Sequence, residues 1–309
     1  MIEEAIQLGE PVEHRDIVVC PVFPRRTPRA AYVTLDEALP LGLRVTEVDE
    51  AGAVPELQVE NPLEENVLLY DGEELLGAKQ NRILNVTVLV AAGSKTRIPV
   101  SCVEQGRWSR RSAAFAAARH AAHPALRRRK AEALAAQPLA LGAAQGEVWD
   151  EVRKTASLHS VHSPTGAQAD TFSAKAGELA KLRDAFRLER GQCGAVFAAG
   201  ESLCLDYVSR PGAFARLYPR LLEGYLLDAL VTRGEAQSDG ALVAFVSRVA
   251  KARRSQRPSA ALGEDLRLRG ERVVGSGLEL DGELIQLSAY SSEDGRDRGT
   301  PIRRTHRRL

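Results

Sequence analysis

Through the first third of the chain, hydrophobic and polar positions alternate in short segments, separated by polar or turn-forming residues. Alternation with a period of two places every second side chain on one face of a strand. Strands this short and this closely spaced predict a sandwich or a small barrel. The predicted strands are residues 16–20, 32–34, 43–48, 56–60, 66–70, 82–90 and 96–104, and residues 35–41 are predicted to form a helical turn.

The pattern changes after Trp108, where apolar residues recur at the spacing of a helix. Helices are predicted over residues 112–120, 124–136 and 173–188, and from Glu147, Pro211 and Asp239 onward; residues 157–166 are polar and predict a loop. Paired strands are predicted over residues 194–197 and 202–206, and a hairpin over residues 273–290 that turns at Asp281 and Gly282.

These elements together predict an α+β fold. A β-rich N-terminal part, residues 1–108, is expected to pack against a helical and strand–helix–hairpin part, residues 109–290. Residues 291–309 are expected to form a flexible, arginine-rich tail. A chain of 309 residues suits one large domain or two smaller ones, and the two parts can share one core.

Charge and composition argue against several classes of protein. The formal net charge is +1, so no overall field favours nucleic acid or a membrane surface as a partner. Arginine runs such as residues 127–129 contain no aromatic residues, which favours solvated helix faces over a nucleic-acid-binding stripe. No segment approaches the roughly eighteen apolar residues of a membrane span, and the N-terminus lacks the pattern of a signal peptide.

The four cysteines, Cys20, Cys102, Cys193 and Cys204, are scattered without a CxxC pair. In a chain of this size, that distribution argues against a disulfide framework and against a zinc site built from cysteine. It predicts a cytoplasmic protein in a reducing compartment.

Two densely polar segments interrupt the β-rich part. Residues 71–82 contain three acids, a lysine, two amides and an arginine, and residues 101–108 read SCVEQGRW. Buried charge is costly unless it is paired, so packing alone has little use for such segments. We therefore expect any functional site to be centred on them.

Strand parity places part of this cluster inside the protein. In a regular strand, Cys102 and Glu104 share a face with Ile98 and Val100, and Arg82 lies on the apolar face of residues 82–90. An inward glutamate needs a cation, which predicts an ion pair between Arg82 and Glu104. The pair is either the floor of a pocket or a structural pair that fixes strand register. Lys79 and Asn81 can join Gln80 and Arg82 around one cavity only if the segment bends near Gly77.

The acids that begin the first segment, Asp71, Glu73 and Glu74, have two interpretations. Together they could supply a general acid and a general base, or oxygen ligands for a hard cation. Taken singly, each is also explained by a solvated turn at Gly72. Their closeness in sequence to Lys79 and Arg82 favours a site, although ion-pair networks produce the same pattern.

Cys102 could be a nucleophile if a nearby cation lowers the pKa of its thiol, or it could be a small buried hydrophobic residue. Trp108 and Trp149 could be core anchors or stacking surfaces. His120 and His123 stand three residues apart, but no third ligand stands in pattern. We therefore predict no metal site.

The polar segments also resemble a known family. Residues 71–85, DGEELLGAKQNRILN, and 99–108, PVSCVEQGRW, resemble the signature of a bacterial family named for its association with ADP-ribosylglycohydrolases and rhodanese-phosphatase proteins. The similarity extends over most of residues 15–290, including QGEVWDEV from Gln145, CGAVF from Cys193, and Asp206. The matching polar positions are Asp71, Glu73, Lys79, Gln80, Asn81, Arg82, Cys102, Glu104 and Arg107.

The resemblance implies a role near NAD or ADP-ribose metabolism, by association rather than by a site argument. The leading hypothesis is an enzyme or ligand-binding domain for a small anionic compound, such as an ADP-ribose or NAD derivative. Arg82, Lys79 and Arg107 would hold its phosphate or carboxylate groups, and Glu73, Glu74 or Glu104 would move protons. The alternative is a noncatalytic interaction module with a structural ion-pair network. Neither hypothesis names a cofactor.

Overall fold

A computed structural model of the chain describes residues 2–26, 28–49, 55–136 and 144–292, which form eighteen strands and seven α-helices. The strands are β1 Ile6–Leu8, β2 Val12–His14, β3 Ile17–Pro24, β4 Val33–Thr34, β5 Arg44–Glu47, β6 Glu56–Asn61, β7 Val67–Leu69, β8 Glu73–Gly77, β9 Arg82–Leu84, β10 Val88–Val90, β11 Ser94–Cys102, β12 Phe115–Ala121, β13 Gly194–Ala199, β14 Ser202–Val208, β15 Arg253–Pro258, β16 Glu264–Gly270, β17 Val273–Leu280 and β18 Glu283–Ser291. The helices are α1 Ile2–Ala5, α2 Leu35–Ala38, α3 Pro124–Ala136, α4 Gln145–Leu158, α5 Gln168–Arg183, α6 Pro211–Val231 and α7 Asp239–Lys251, with a 3₁₀ turn at Leu39–Leu41.

The strands form three sheets. The large sheet has the order β1-β3-β13-β14-β18-β17-β16-β15, with β2 also paired to β3, and all its pairs are antiparallel. The motif sheet has the order β12-β8-β9-β11-β6-β5 and carries both polar segments. The small sheet has the order β10-β7-β4. This mixture of helices and sheets, antiparallel except for the parallel pair of β4 and β7, confirms the α+β prediction.

Strands from both sides of Trp108 share the large sheet, since β3 pairs with β13. The two predicted parts, residues 1–108 and 109–290, therefore contribute strands to one sheet. Their division into separate domains stays a prediction. Most of the predicted tail, residues 293–309, lies outside the described residues.

Helix α6 packs between the sheets and supplies the centre of the main core. Its apolar face, including Phe214, Leu217, Leu221 and Tyr225, is buried against α5 and the large sheet. Burying one such side chain stabilises the fold by about 1.5–3 kcal/mol. A second core fills the space around the motif sheet and α4, and a third lies between the large sheet and α7.

Two predicted elements are wrong. Residues 112–120, predicted as helix from their alanine content, contain strand β12, which pairs with β8. Helix α6 packs closely against this strand at Gly224, where an added Cβ would lie 3.4 Å from the Ala121 carbonyl oxygen. Strand pairing and packing override the helical propensity here. Residues 82–90 form two strands, β9 and β10, in different sheets.

All four cysteines are buried and none forms a disulfide. Among the helices of the described residues, none is both long and apolar enough to cross a membrane.

Candidate functional site

The first polar segment bends sharply where β8 ends. Gly77 and Ala78 have φ angles of +131° and +42°, in the region that favours glycine. A Cβ on Gly77 would lie 2.5 Å from Ser112 Oγ and 3.0 Å from the Ala114 carbonyl oxygen, so the close approach of this chain also requires glycine. The bend is the one that the sequence required if residues 79–82 are to surround one space.

Beyond the bend, Arg82 lies fully buried in β9, directly opposite Cys102 in β11. Arg82 Nη1 donates to Gln80 Oε1 at 2.7 Å, and Cys102 Sγ lies 2.9 Å from the same oxygen. Within the described part of the chain, Nε and Nη2 of Arg82 have no hydrogen-bond partner and no carboxylate pairs with the guanidinium. Among the described residues, Arg82 is therefore a buried cation without a counter-charge.

The Trp108 indole lies over this group and is 49% exposed. Lys79 Nζ is 5.3 Å and Arg82 Cζ is 5.8 Å from its ring centroid. Cation–π contacts at such distances are worth about 0.5–2 kcal/mol, depending on how far they are desolvated. Lys79 and Arg82 are thus held next to one half-exposed aromatic ring.

Glu104 pairs with Arg107, not with Arg82, so the predicted Arg82–Glu104 ion pair is wrong. Arg107 Nη2 lies 2.6 Å from Glu104 Oε2, and both side chains are buried. Strand β11 ends at Cys102, so strand parity does not extend to Glu104. Burial works to raise the pKa of Glu104, but the hydrogen bonds from Arg107 and from the Asn81 amide N–H hold that pKa below its ordinary value.

Arg107 also ties two chain segments together. Its Nη1 donates to the carbonyl oxygens of Ala78 and Ser109, each at 2.9 Å, and its Nη2 donates to Asn81 Oδ1 at 3.1 Å. These bonds fix the bend after β8 against the loop after β11.

Glu74 lies on the side of the bend that faces β12. Its Oε2 accepts hydrogen bonds from His120 Nε2 at 2.8 Å and Gln168 Nε2 at 2.6 Å, and its Oε1 accepts one from Asn81 Nδ2 at 3.3 Å. The His120 ring stacks on Phe172 with centroids 4.0 Å apart. His120 is therefore oriented by a buried carboxylate, as is typical of histidines that exchange protons.

His120 and His123 do not converge on a metal. His123 Nδ1 lies 2.6 Å from Asp228 Oδ1, while its Nε2 contacts Thr155 Oγ1 at 3.2 Å. Within the described ranges, no three His, Cys, Asp or Glu side chains gather in a way that could hold a metal ion.

Glu73 faces away from Glu74, toward α6. It accepts a hydrogen bond from the Tyr70 amide at 2.7 Å and one from Arg220 Nη1 at 2.9 Å, and Arg220 also pairs with Asp36. Burial nevertheless raises the pKa of Glu73 to about 7. Glu73 therefore changes its charge in the physiological range.

This pKa predicts a stability that falls as pH rises. The folded protein holds the Glu73 proton up to about pH 7, whereas the unfolded chain releases it near 4.5. Between these values the folded state binds more protons, so its free energy of unfolding decreases with pH. Relative to Glu73→Gln, the free energy of unfolding of wild type should fall by up to about 3 kcal/mol between pH 4.5 and 8, because one pKa unit corresponds to about 1.4 kcal/mol.

Urea denaturation across this range measures the difference, and Glu64→Gln, which replaces an exposed acid, is the control. Parallel curves for wild type and Glu73→Gln would contradict the prediction.

Asp71 points into the core rather than toward the other motif residues. It forms a buried ion pair with Lys130 of α3, and its backbone amide N–H donates to Thr87 Oγ1 at 2.9 Å. Burial lowers the pKa of Lys130 to about 8, against the opposing effect of Asp71. Asp71 therefore lies outside the group formed by Arg82, Cys102 and Glu104.

Next to Asp71 lies a network that sequence reasoning missed as a set. Arg127 makes a two-pronged ion pair with Asp206, with N–O distances of 2.8 and 2.7 Å. The side chains that complete the network around Asp206 are Tyr70, Tyr225 and Ser288. The sequence offered one signal, the acid Asp206 within the apolar strand predicted over residues 202–206. Its partner, Arg127, is 79 residues away, and no local pattern connects the two.

Cys102 is fully buried, and burial raises the pKa of its thiol despite the nearby Arg82 charge. In this state the thiol is protonated at neutral pH, which favours its interpretation as a small buried residue. Its role as a nucleophile stays a prediction.

A cleft of about 650 Å³ opens beside the bend, between β8, β12 and α5. We call it the motif cleft. Three predicted site residues line it: Asn81, Glu104 and Arg107. Its other walls are Leu76, Gly77, Arg111, Ser112, Ala114, Ala116, Pro164, Thr165, Ala167, Ala169 and Asp170. The volume is in the range of small-molecule sites, and its side chains carry two guanidinium groups and two carboxylates.

Comparison with known protein families gives a match over residues 5–290 to ARPP-1, the ARG and Rhodanese-Phosphatase-superfamily-associated Protein domain. Comparisons with curated proteins and with solved structures give no match.

Proposed function

The chain belongs to the ARPP-1 family, and we propose that it binds and acts on a small anionic compound beside the motif cleft, with Arg82 as the anchoring cation. The observation that carries this proposal is the fully buried Arg82 guanidinium, which has no carboxylate partner among the described residues. A buried charge without compensation costs several kcal/mol, so a structural role alone explains it poorly. A ligand carrying a phosphate or carboxylate would supply the missing charge.

Donor groups cluster around the same point. Arg82 Nε and Nη2 have no geometric hydrogen-bond partner within the described residues, and the Trp149 indole N–H lies against the Cys102 thiol next to them. Guanidinium groups bind phosphate and carboxylate through charge-assisted hydrogen bonds, which are about twice as strong as neutral ones. Lys79, over the same Trp108 ring, would add a second cation at the rim.

The proposed chemistry uses Glu104 and Glu74. Glu104 lines the motif cleft beside Arg107, and we propose that its carboxylate accepts a proton from a bound ligand or water. Glu74 would hold Asn81, another wall of the motif cleft, in position through the hydrogen bond from Asn81 Nδ2. Arg107 would position the Glu104 carboxylate next to the ligand.

For the ligand we propose an ADP-ribose or NAD derivative. The support is the association in the family name, together with a site that offers cations beneath a half-exposed tryptophan. Such compounds join phosphates to flat bases, and a base can stack on an exposed indole. The four buried free cysteines keep the expectation of a reducing, cytoplasmic location.

Calorimetric titration tests the ligand class. ADP-ribose and NAD should release heat on binding to the folded protein, whereas nicotinamide alone, which lacks a phosphate, should release none. Circular dichroism on the same sample checks that the protein is folded. No heat from ADP-ribose and NAD would contradict this ligand class, and equal binding of nicotinamide would contradict the role of the anionic group.

One observation favours a second candidate, a noncatalytic interaction module. Arg107 and Glu104 bind each other, and the other hydrogen bonds of Arg107 join the bend to the loop after β11. That arrangement is expected if the polar segments only fix the register of the motif sheet. The two candidates differ in what they require of Arg82.

A further inference from the structure

A second cleft of about 650 Å³ lies on the other side of α5, and we call it the arginine cleft. Strand β12 and helix α5 contribute walls to both clefts, while α6 closes this one. Its lining residues are Asp36, Arg119, His120, Phe172, Ser173, Ala176, Arg183, Arg216, Pro219, Arg220 and Glu223. Four guanidinium groups and two carboxylates therefore face one space of small-molecule size.

The arginines differ in how firmly they are held. Arg220 is mostly buried and pairs with Asp36 and Glu73, and Arg183 pairs with Glu223. Arg220 is a structural cation whose position is fixed, whereas Arg183 is 47% exposed and its ion pair lies at the surface.

The other two arginines can turn toward a ligand at little cost. Arg216 has a side chain that is 63% exposed, and its Nε is 3.8 Å from Glu37 Oε1. Exposed pairs of this kind are worth about 0–1 kcal/mol. Arg119 is exposed and makes no ion pair with any carboxylate in the described part of the chain. The cleft thus contains one fixed cation, Arg220, and two available cations, Arg119 and Arg216, with the surface pair of Arg183 beside them.

The side chains that line the cleft favour an anion: four arginines against Asp36 and Glu223 give a formal charge of +2, with His120 counted as neutral. Carboxylates behind the lining offset part of this charge, Glu37 behind Arg216, Glu73 behind Arg220 and Glu74 behind His120. Because Glu37 holds Arg216 only weakly, a ligand anion can displace it.

His120 gives the cleft an oriented polar wall. Its Nε2 is engaged by Glu74 and its ring is stacked on Phe172. With Nε2–H donating to Glu74, Nδ1 is left as the atom that can accept a hydrogen bond. A ligand in the arginine cleft would therefore meet cations and one fixed imidazole.

We propose that the arginine cleft is a second binding site, for a small ligand that carries a phosphate or pyrophosphate group. Arg119 and Arg216 reach the ligand, and Arg220 is the fixed cation at its base. The site is separate from the one around Arg82 and does not depend on it. The required group can come from free pyrophosphate or from a nucleoside diphosphate, and the cleft volume admits either.

The test compares two substitutions in this cleft with one in the other. Inorganic pyrophosphate and ADP are titrated by calorimetry into wild type, Arg119→Gln, Arg216→Gln and Arg111→Gln. Arg111 is an exposed arginine of the motif cleft, so Arg111→Gln reports anion binding there. Loss of one charged hydrogen-bond donor should weaken pyrophosphate binding about tenfold in Arg119→Gln and in Arg216→Gln, with a smaller effect in Arg111→Gln. All three residues are exposed, so the variants should fold, which circular dichroism verifies.

Each outcome decides the proposal. Binding of ADP without pyrophosphate assigns the site to the nucleotide, and binding of both with similar affinity assigns it to the phosphates. Absence of heat from both compounds with folded wild-type protein would overturn the inference. So would wild-type affinity in both cleft variants. Weakening by Arg111→Gln alone would place the anion in the motif cleft, which contradicts this inference and leaves the proposal around Arg82 intact.

Discussion

Replacing Asp206 with Asn is expected to lower the free energy of unfolding by about 3–5 kcal/mol, the cost of removing one partner of a buried ion pair. Asp206 and Arg127 are both fully inaccessible to solvent and share two hydrogen bonds. Asparagine keeps the shape of the side chain but removes its charge, so the Arg127 guanidinium would stay buried without compensation. Domains of this kind have total stabilities of about 5–15 kcal/mol, so the variant should be marginal.

The loss should affect the whole molecule because the network joins its parts. Asp206 belongs to β14 of the large sheet, Arg127 to α3 and Tyr225 to α6, and Tyr70 follows β7 of the small sheet. The tyrosine hydroxyls of Tyr70 and Tyr225 each donate to Asp206 at 2.6 Å. Burial works to raise the pKa of Asp206, but Arg127 and these hydroxyls together hold that pKa below its ordinary value.

Urea denaturation at neutral pH measures the effect. Asp184→Asn is a suitable control, because Asp184 is an exposed acid that makes no ion pair within the described residues, and its replacement should change stability by less than about 0.5 kcal/mol. Arg127→Met combined with Asp206→Asn should cost less than the sum of the single changes, since both members of the pair are gone. A loss below about 1 kcal/mol for Asp206→Asn would show that the network carries little of the stability.

Local signals predicted the local structure of the chain well. The hairpin at Asp281 and Gly282 forms as expected, with φ angles of +51° and +73° that suit this pair of residues. Strands β13 and β14 pair around Gly200, and α6 begins at Pro211. Each of these elements is determined by residues that are neighbours in sequence.

The wrong predictions concern segments whose structure is determined by residues distant in sequence. The alanine content of residues 112–120 favours a helix, but residues 115–121 form strand β12 because they pair with β8. β8 was missed because its glutamates, Glu73 and Glu74, look like a solvated turn, whereas Arg220 and Gln168 from remote helices satisfy them inside the protein.

The candidate site shows the same division. The bend at Gly77 is consistent with the glycine, and the burial of Arg82 with its place on the same strand face as Leu84. The partner of Glu104 could not be obtained from strand parity, because β11 stops at Cys102 and the following loop turns Glu104 toward Arg107. Consequently the expected ion pair was wrong, and the buried cation that remained became the strongest indication of a ligand.

Replacing Arg82 with Met separates the two proposed functions. Met has a similar length and volume but no charge, so it removes a buried cation that lacks a counter-charge in the described structure. If Arg82 serves a ligand, the variant should be as stable as wild type or more stable by about 1–3 kcal/mol. Its affinity for ADP-ribose or NAD should fall about a hundredfold or more, because two charged hydrogen bonds are lost.

Both quantities are measured on the same preparations, by urea denaturation and by calorimetric titration. Arg97→Met is the matched control: Arg97 lies on β11 of the same sheet, is 64% exposed, and makes only a surface pair with Glu56 at 3.6 Å. Arg97→Met should change the free energy of unfolding by less than about 0.5 kcal/mol and leave the binding affinity unchanged. A severe loss of stability in Arg82→Met would mean that the guanidinium holds β9 and β11 in register and would support the interaction module. Retained stability with wild-type affinity would remove Arg82 from the site, because a residue that contributes to neither folding nor binding cannot be the anchor for an anion.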